Sequence, residues 1–140
     1  MKSCLYDTDY YQWSLDQADY LKNRRFDMID YDCLIEEIES LGRSQKDRLV
    51  SFLTIALLHL LKIKYQPNLH TRSWDISIQC SINDAQDVLE ENPSLKHKLE
   101  EIFFHSYRKC RRKAAVETGL EIQTFPEECP WSMQEIITRK

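Results

Sequence analysis

The stretch Leu49–Ile63, LVSFLTIALLHLLKI, constrains this chain more than any other, because only Ser51, Thr54, His59 and Lys62 interrupt its apolar run. At 100° per residue the apolar side chains wrap most of a helix circumference, so the segment needs cover on nearly all sides. Fifteen residues are too few to cross a bilayer, and Arg48 and Lys62 bracket them, so the pattern predicts a buried core helix and no membrane span. A chain of 140 residues is long enough to enclose such a helix. Two glycines and four prolines leave little room for the many turns of a β-sandwich. The expected fold is therefore all-α: a compact bundle of four main helices around the central one, plus a short C-terminal helix, in a single domain over residues 1–140.

Periodicity and capping residues place the other helices. The first is expected from about Asp9 to Lys22, with Asp7 or Thr8 as N-cap. Tyr11, Leu15, Ala18 and Leu21 form one apolar side, while Trp13 and Tyr20 point roughly the opposite way. Large aromatics on two sides mean either burial between layers or a patch presented to a partner. A second helix starts after Asp30 with Leu34, Ile38 and Leu41 as its buried stripe, ends near Gly42, and restarts as the central helix from Ser44 and Asp47. Pro67 stops the central helix after Tyr65 or Gln66. The third, Trp74 to Glu91 with Thr71 or Ser73 as cap, buries Trp74, Ile78, Ile82, Ala85 and Leu89. Asn92 and Pro93 open the fourth, which runs to Thr118 and stops at Gly119. Its stripe is Leu95, Leu99, Ile102, Phe103, Cys110 and Ala114. Leu120, Ile122 and Phe125 fold the tail back, and a last short helix begins around Pro130.

Charge excludes some functions. Residues 1–47 carry 11 acids against 6 Lys and Arg, and residues 48–140 carry 12 against 13, so no overall pull towards nucleic acid exists. The basic cluster Arg108, Lys109, Arg111, Arg112 and Lys113 encircles its helix and sits in the last turns, where cations complement the helix end. A solvated helix end is the preferred reading. Nucleic-acid contact is disfavoured, although such a collar can still grip an acidic protein. Five cysteines in odd number, without a C-x-x-C pair, point to reduced thiols in a cytoplasm, with neither signal peptide nor transmembrane run expected. Cys80 and Cys110 are expected to pack as small hydrophobes. Cys129 lies between Glu128 and Pro130, an acidic setting that raises a thiol pKa.

Chemistry has few candidates. Helical bundles hold metals with inward Glu and Glu-x-x-His pairs, but that spacing is absent, and only Glu37 and His59 are placed to converge. Two ligands do not make a site, so no metal and no cofactor are expected. Glu37, His59 and Tyr65 are the catalytic candidates, for a metal-dependent hydrolase. No G-x-S-x-G elbow, glycine-rich phosphate loop or H-E-x-x-H occurs.

The blocks YDTDYYQWSLDQADYLKNRRFD, LIEEIESLGRS, HLLKIKYQP, RSW, NPSLK and TFPEECPW, in that order from Leu5 to Ile137, resemble the bacterial domain-of-unknown-function family twenty-nine. The resemblance implies a compact all-helical domain and brings no activity, cofactor or catalytic residue. Within these blocks Gly42, Arg72, Trp74, Pro126 and Trp131 read as scaffold: a helix end, a partner for Glu37 or Glu39, a loop seat and a lock for the tail. The leading expectation is a small cytoplasmic interaction module, binding another protein or its own copy through Trp13 and Tyr20, or through Arg108, Arg111 and Arg112. The alternatives are the hydrolase and a nucleic-acid-associated or antitoxin-like regulator using Arg108–Lys113.

Overall fold

The structure, a computed structural model, describes residues 4–140. Every regular element among them is helical: α1 (Leu5–Thr8), α2 (Tyr10–Lys22), α3 (Tyr31–Tyr65), α4 (Arg72–Glu91), α5 (Leu99–Thr118) and α6 (Met133–Ile137), joined by short 3-10 turns. The all-α expectation holds, and the four long helices are α2 to α5. The chain divides into two compact units, Met1–Arg43 and Ser44–Lys140, and α3 contributes to both.

One correction concerns α3. The two helices expected on either side of Gly42 are a single helix of 35 residues. Gly42 keeps helical backbone angles, and Gly119 is the glycine with positive φ among the described residues. A glycine inside a helix costs only about 1 kcal/mol relative to alanine. Leu41, Arg43, Gln45 and Lys46 beside it are good helix formers, and no proline lies nearby to force a break.

In the first unit α2 begins on Asp9, not on Asp7 or Thr8, and the Asp9 carboxylate accepts the Gln12 N–H at 3.1 Å. Residues ahead of it form the extra turn α1. The inward face of α2 is Trp13, 4% exposed, with Gln17, and Ile29 joins them. The opposite side, Tyr11, Leu15, Ala18 and Leu21, lies open, with Tyr11 73% exposed. On α3 the expected buried stripe is likewise open: Ile38 is 61% and Leu41 66% exposed, and Leu34 is half-buried. The physical reason is supply. A hairpin of this length offers one narrow seam, and Trp13, Gln17 and Ile29 fill it.

In the second unit the core is what the sequence implied, save that Trp74 and Leu95, expected inside, are only half-buried. Leu49, Val50, Leu53, Thr54, Ala56, Leu57, Leu58, Leu60 and Leu61 are buried on α3. They meet Ile78, Ile82, Ala85, Val88 and Leu89 of α4, with Leu99, Ile102, Phe103, Tyr107, Cys110 and Ala114 of α5. Thr54 and Ser106 survive inside because each hydroxyl donates to the carbonyl one turn back, Val50 at 2.6 Å and Ile102 at 2.7 Å. A 3-10 turn, Pro93–Lys98, precedes α5, so the helix proper starts at Leu99 and not at Pro93. Gly119 closes it at φ 74°, the left-handed C-terminal conformation glycine favours. Phe125 and Ile136 then enter the core from the tail. The last helix starts at Met133, capped by the Ser132 hydroxyl.

Candidate functional site

Two polar constellations stand in the first unit. The first is built on Glu37, which accepts hydrogen bonds from the hydroxyls of Tyr6 and Tyr10. Tyr6 also packs edge-on against Trp13, with ring centroids 4.7 Å apart. The phenol bonds, from Tyr10 first and then Tyr6, hold the Glu37 carboxyl below its ordinary value. Reciprocally, the bond to Glu37 raises both phenols above 10.0. A carboxylate held ionised between two phenols that keep their protons is a fixed acceptor. It is poorly placed to act as a general acid or base near neutral pH.

The second constellation is centred on Asp30, at the entry to α3. Its Oδ1 accepts the Cys33 N–H at 3.3 Å, and its Oδ2 accepts the Trp13 indole N–H at 3.3 Å and the Cys4 thiol at 3.7 Å. Its own N–H donates to Gln17 Oε1 at 2.8 Å. Burial alone would raise the Asp30 carboxyl, but bonds from Cys33, Trp13 and Cys4 keep it below 3.8. The Cys33 thiol is pushed up to about 12 by burial, with Asp30 and Cys4 adding to the effect.

The second unit holds the remaining sequence candidates. His59 stands twenty-two positions beyond Glu37 on the same helix and has partners of its own. Its Nδ1 lies 2.9 Å from the Ile55 carbonyl, and Trp74 sits edge-on at 6.4 Å. Trp74 in turn takes the Lys62 ammonium over its ring at 4.8 Å and stacks with His70 at 6.2 Å. It thus packs against His70, at the end of the turn that precedes α4. Arg72 is exposed at the first position of α4. Tyr65 packs edge-on against Phe125, centroids 5.2 Å apart.

The basic cluster is rearranged relative to the helical-wheel reading. Arg108, Arg111 and Arg112 line one cleft of about 420 Å³ together with Phe104, Ile122, Glu127 and Glu128. Arg111 is committed to structure, since its Nε donates to the Phe125 carbonyl at 3.0 Å. Next to it Tyr107 donates to the Pro126 carbonyl at 2.6 Å. Pro126 therefore locks the tail through its backbone, and Trp131 packs partly buried under Lys64.

Several expectations change at the level of single residues. Trp13, for which the sequence leaves both burial between layers and a patch towards a partner open, is the buried anchor of its unit. Tyr20 is half-buried. Gly42 ends nothing. Cys80 is exposed, not packed, whereas Cys110 is fully enclosed. The Cys129 thiol is raised as expected, but chiefly by burial, and the carboxylate that contributes is Glu135, not Glu128. The residues the sequence reading passed over are Tyr6, Tyr10, Asp30, Cys4 and Cys33. The signal for Asp30 and Cys33 is D-x-x-C at a helix start, where an N-cap carboxylate and a first-turn thiol share one side.

The described residues define the class: an all-helical chain with two polar clusters in its first unit. Residues 5–140 match the family model for Domain of unknown function DUF29. The chain belongs to that family. Comparison with curated proteins gives no significant match, and comparison with solved structures gives none.

Proposed function

We propose that this protein is a non-catalytic interaction module that pairs with a second copy of itself along α3, with the two-fold axis just past Leu41. The observation that carries the reading is the distribution of bare apolar surface. Among the described residues, eleven of the sixteen exposed large apolar side chains fall between Leu5 and Leu41. Exposed apolar surface concentrated in one part of the chain in this way marks an interaction face. Tyr31, Leu34, Ile38 and Leu41 follow the three- and four-residue steps of a helix–helix seam, with Ile35 beside them.

Charge favours another copy of the chain as the occupant. On α3, Asp32, Glu36, Glu37 and Glu39 precede Leu41, and Arg43, Lys46 and Arg48 follow it, with Asp47 the one acid among them. An antiparallel copy sets the acidic turns of one α3 against the basic turns of the other. Such self-complementarity is what a two-fold interface requires. The reading places the protein in the cytoplasm, in keeping with five free cysteines; no described helix is long and apolar enough to cross a membrane.

Sedimentation equilibrium over a hundredfold range of concentration tests the proposal. The wild-type mass rises to twice 16.8 kDa, and Ile38→Glu/Leu41→Glu stays monomeric with unchanged helical circular dichroism. A wild-type chain that stays monomeric throughout overturns it.

A second reading draws on the arginine cleft, where Arg108 and Arg112 beside the exposed Phe104 offer cations and a stacking surface to an anionic partner. Glu127 and Glu128 on the same wall oppose a polyanion, so this reading ranks second. A gel-shift assay at low and moderate salt decides its nucleic-acid form.

A further inference from the structure

The Asp30 constellation has a chemistry that neither pairing of copies nor helix capping uses. Cys4 Sγ, a carboxylate oxygen of Asp30 and Cys33 Sγ all lie within 4.8 Å of one another, and all three residues are half-buried. They come from separate places in the chain. Cys4 precedes α1, Asp30 caps α3, and Cys33 lies in the first turn of α3.

We infer that Cys4, Asp30 and Cys33 form a binding site for a thiophilic divalent cation of the zinc class, with two sulfur ligands, one oxygen ligand and a fourth position open to water. The donor set selects the class. Two thiolates with one carboxylate suit a borderline-soft ion, whereas magnesium and calcium take oxygen ligands. Zinc–sulfur and zinc–oxygen bonds of about 2.3 and about 2.1 Å in a tetrahedron put a sulfur and an oxygen donor about 3.6 Å apart. The Cys4 sulfur already lies 3.7 Å from Asp30 Oδ2, so small side-chain rotations close the set. The carboxylate is also held in the way ligating groups are held. The Trp13 indole N–H and the Cys33 backbone N–H fix its plane, and Gln17 holds its backbone.

The exchange balances without any redox change. The cation forms two metal–sulfur bonds and one metal–oxygen bond, and two S–H bonds break. Two protons leave to solvent. The cation's two charges against three anionic ligands leave the site at minus one. In place of the thiol hydrogen bond from Cys4 to Asp30, the bound ion ties the segment before α1 to the first turn of α3.

Cobalt(II) alone, added to the reduced full-length protein without oxygen, is the probe. One equivalent is expected to produce the thiolate-to-cobalt charge-transfer band in the near ultraviolet and the visible bands of a tetrahedral site, with about two protons released per ion in weakly buffered solution. Cys4→Ser and Cys33→Ser each abolish the charge-transfer band, Asp30→Asn weakens cobalt binding by about tenfold or more, and Cys80→Ser leaves it unchanged. Circular dichroism confirms that Cys4→Ser, which lies ahead of the first helix, keeps the fold. Absence of the band at one equivalent overturns the site, as does a band that survives Cys33→Ser or vanishes with Cys80→Ser.

Discussion

The indole N–H of Trp13 donates to Asp30 Oδ2 at 3.3 Å, joining the buried face of α2 to the first turn of α3. The same carboxylate caps α3 through the Cys33 N–H. One side chain thus serves a helix start and a tertiary tie. Asp30→Ala removes both and leaves the buried indole unpaired, so it destabilises the protein by about 2–3 kcal/mol. Asp30→Asn keeps an acceptor oxygen and costs about 1 kcal/mol. Urea unfolding followed by tryptophan fluorescence measures the difference.

The Tyr6–Glu37–Tyr10 cluster gives a titration signature. Both phenols are raised above 10.0 chiefly by the bond to Glu37, and Tyr107 is raised by burial. Ultraviolet titration of phenolate should therefore find Tyr6, Tyr10 and Tyr107 ionising late. Glu37→Gln returns Tyr6 and Tyr10 towards 10 and leaves Tyr107 high. The signs of linkage follow from the directions. The stabilisation from Glu37 is present above the ordinary value of 4.5 and fades as acid takes the pH through the lowered native value. That from Tyr6 and Tyr10 is present below 10 and fades as alkali takes the pH towards their raised native values.

The two glycines should respond in opposite directions. Gly42 lies inside α3 with nothing within 4 Å of an added Cβ, so Gly42→Ala stabilises by about 0.5–1 kcal/mol. Gly119 has the same open space but φ 74°, so Gly119→Ala costs about 1–2 kcal/mol. Thermal denaturation should separate the pair by several degrees.

At residues 125–126 the tail is held by one ring, Phe125, and two donors, Tyr107 and Arg111. Phe125 is fully enclosed, and its replacement by alanine costs about 3–5 kcal/mol. Tyr107→Phe keeps the packing but withdraws the donor from the Pro126 carbonyl, at about 1–2 kcal/mol. Differential scanning calorimetry of both variants distinguishes packing from hydrogen bonding in this lock.

The interior was legible in the sequence, because burial on α3, α4 and α5 leaves a periodic trace that needs no knowledge of the neighbours. Leu53, Ile82 and Ile102 announce themselves in this way. The first unit was misread for the converse reason. Periodicity reports which side of a helix is apolar, not whether anything covers it, so Ile38 and Leu41 look like core residues and stand in solvent. Trp13 is buried and Tyr11 exposed, a choice the sequence leaves open because aromatic size does not say which face meets the next helix. The polar clusters were hidden by distance along the chain. Tyr6 meets Glu37, and Cys4 meets Asp30, only once α1 has folded back, and no local spacing encodes that approach.

Charge reversal on α3 tests pairing with a second copy most directly. Glu39 and Lys46 are one heptad apart on the same flank of the apolar row. In an antiparallel pair, Glu39→Lys sets lysine against lysine and Lys46→Glu sets glutamate against glutamate. Each variant alone should weaken pairing by roughly tenfold, as attraction turns to repulsion at two symmetric contacts. An equimolar mixture of the two should recover wild-type affinity in sedimentation equilibrium, because every contact is then opposite in sign. A mixture that pairs no better than its components would contradict the account.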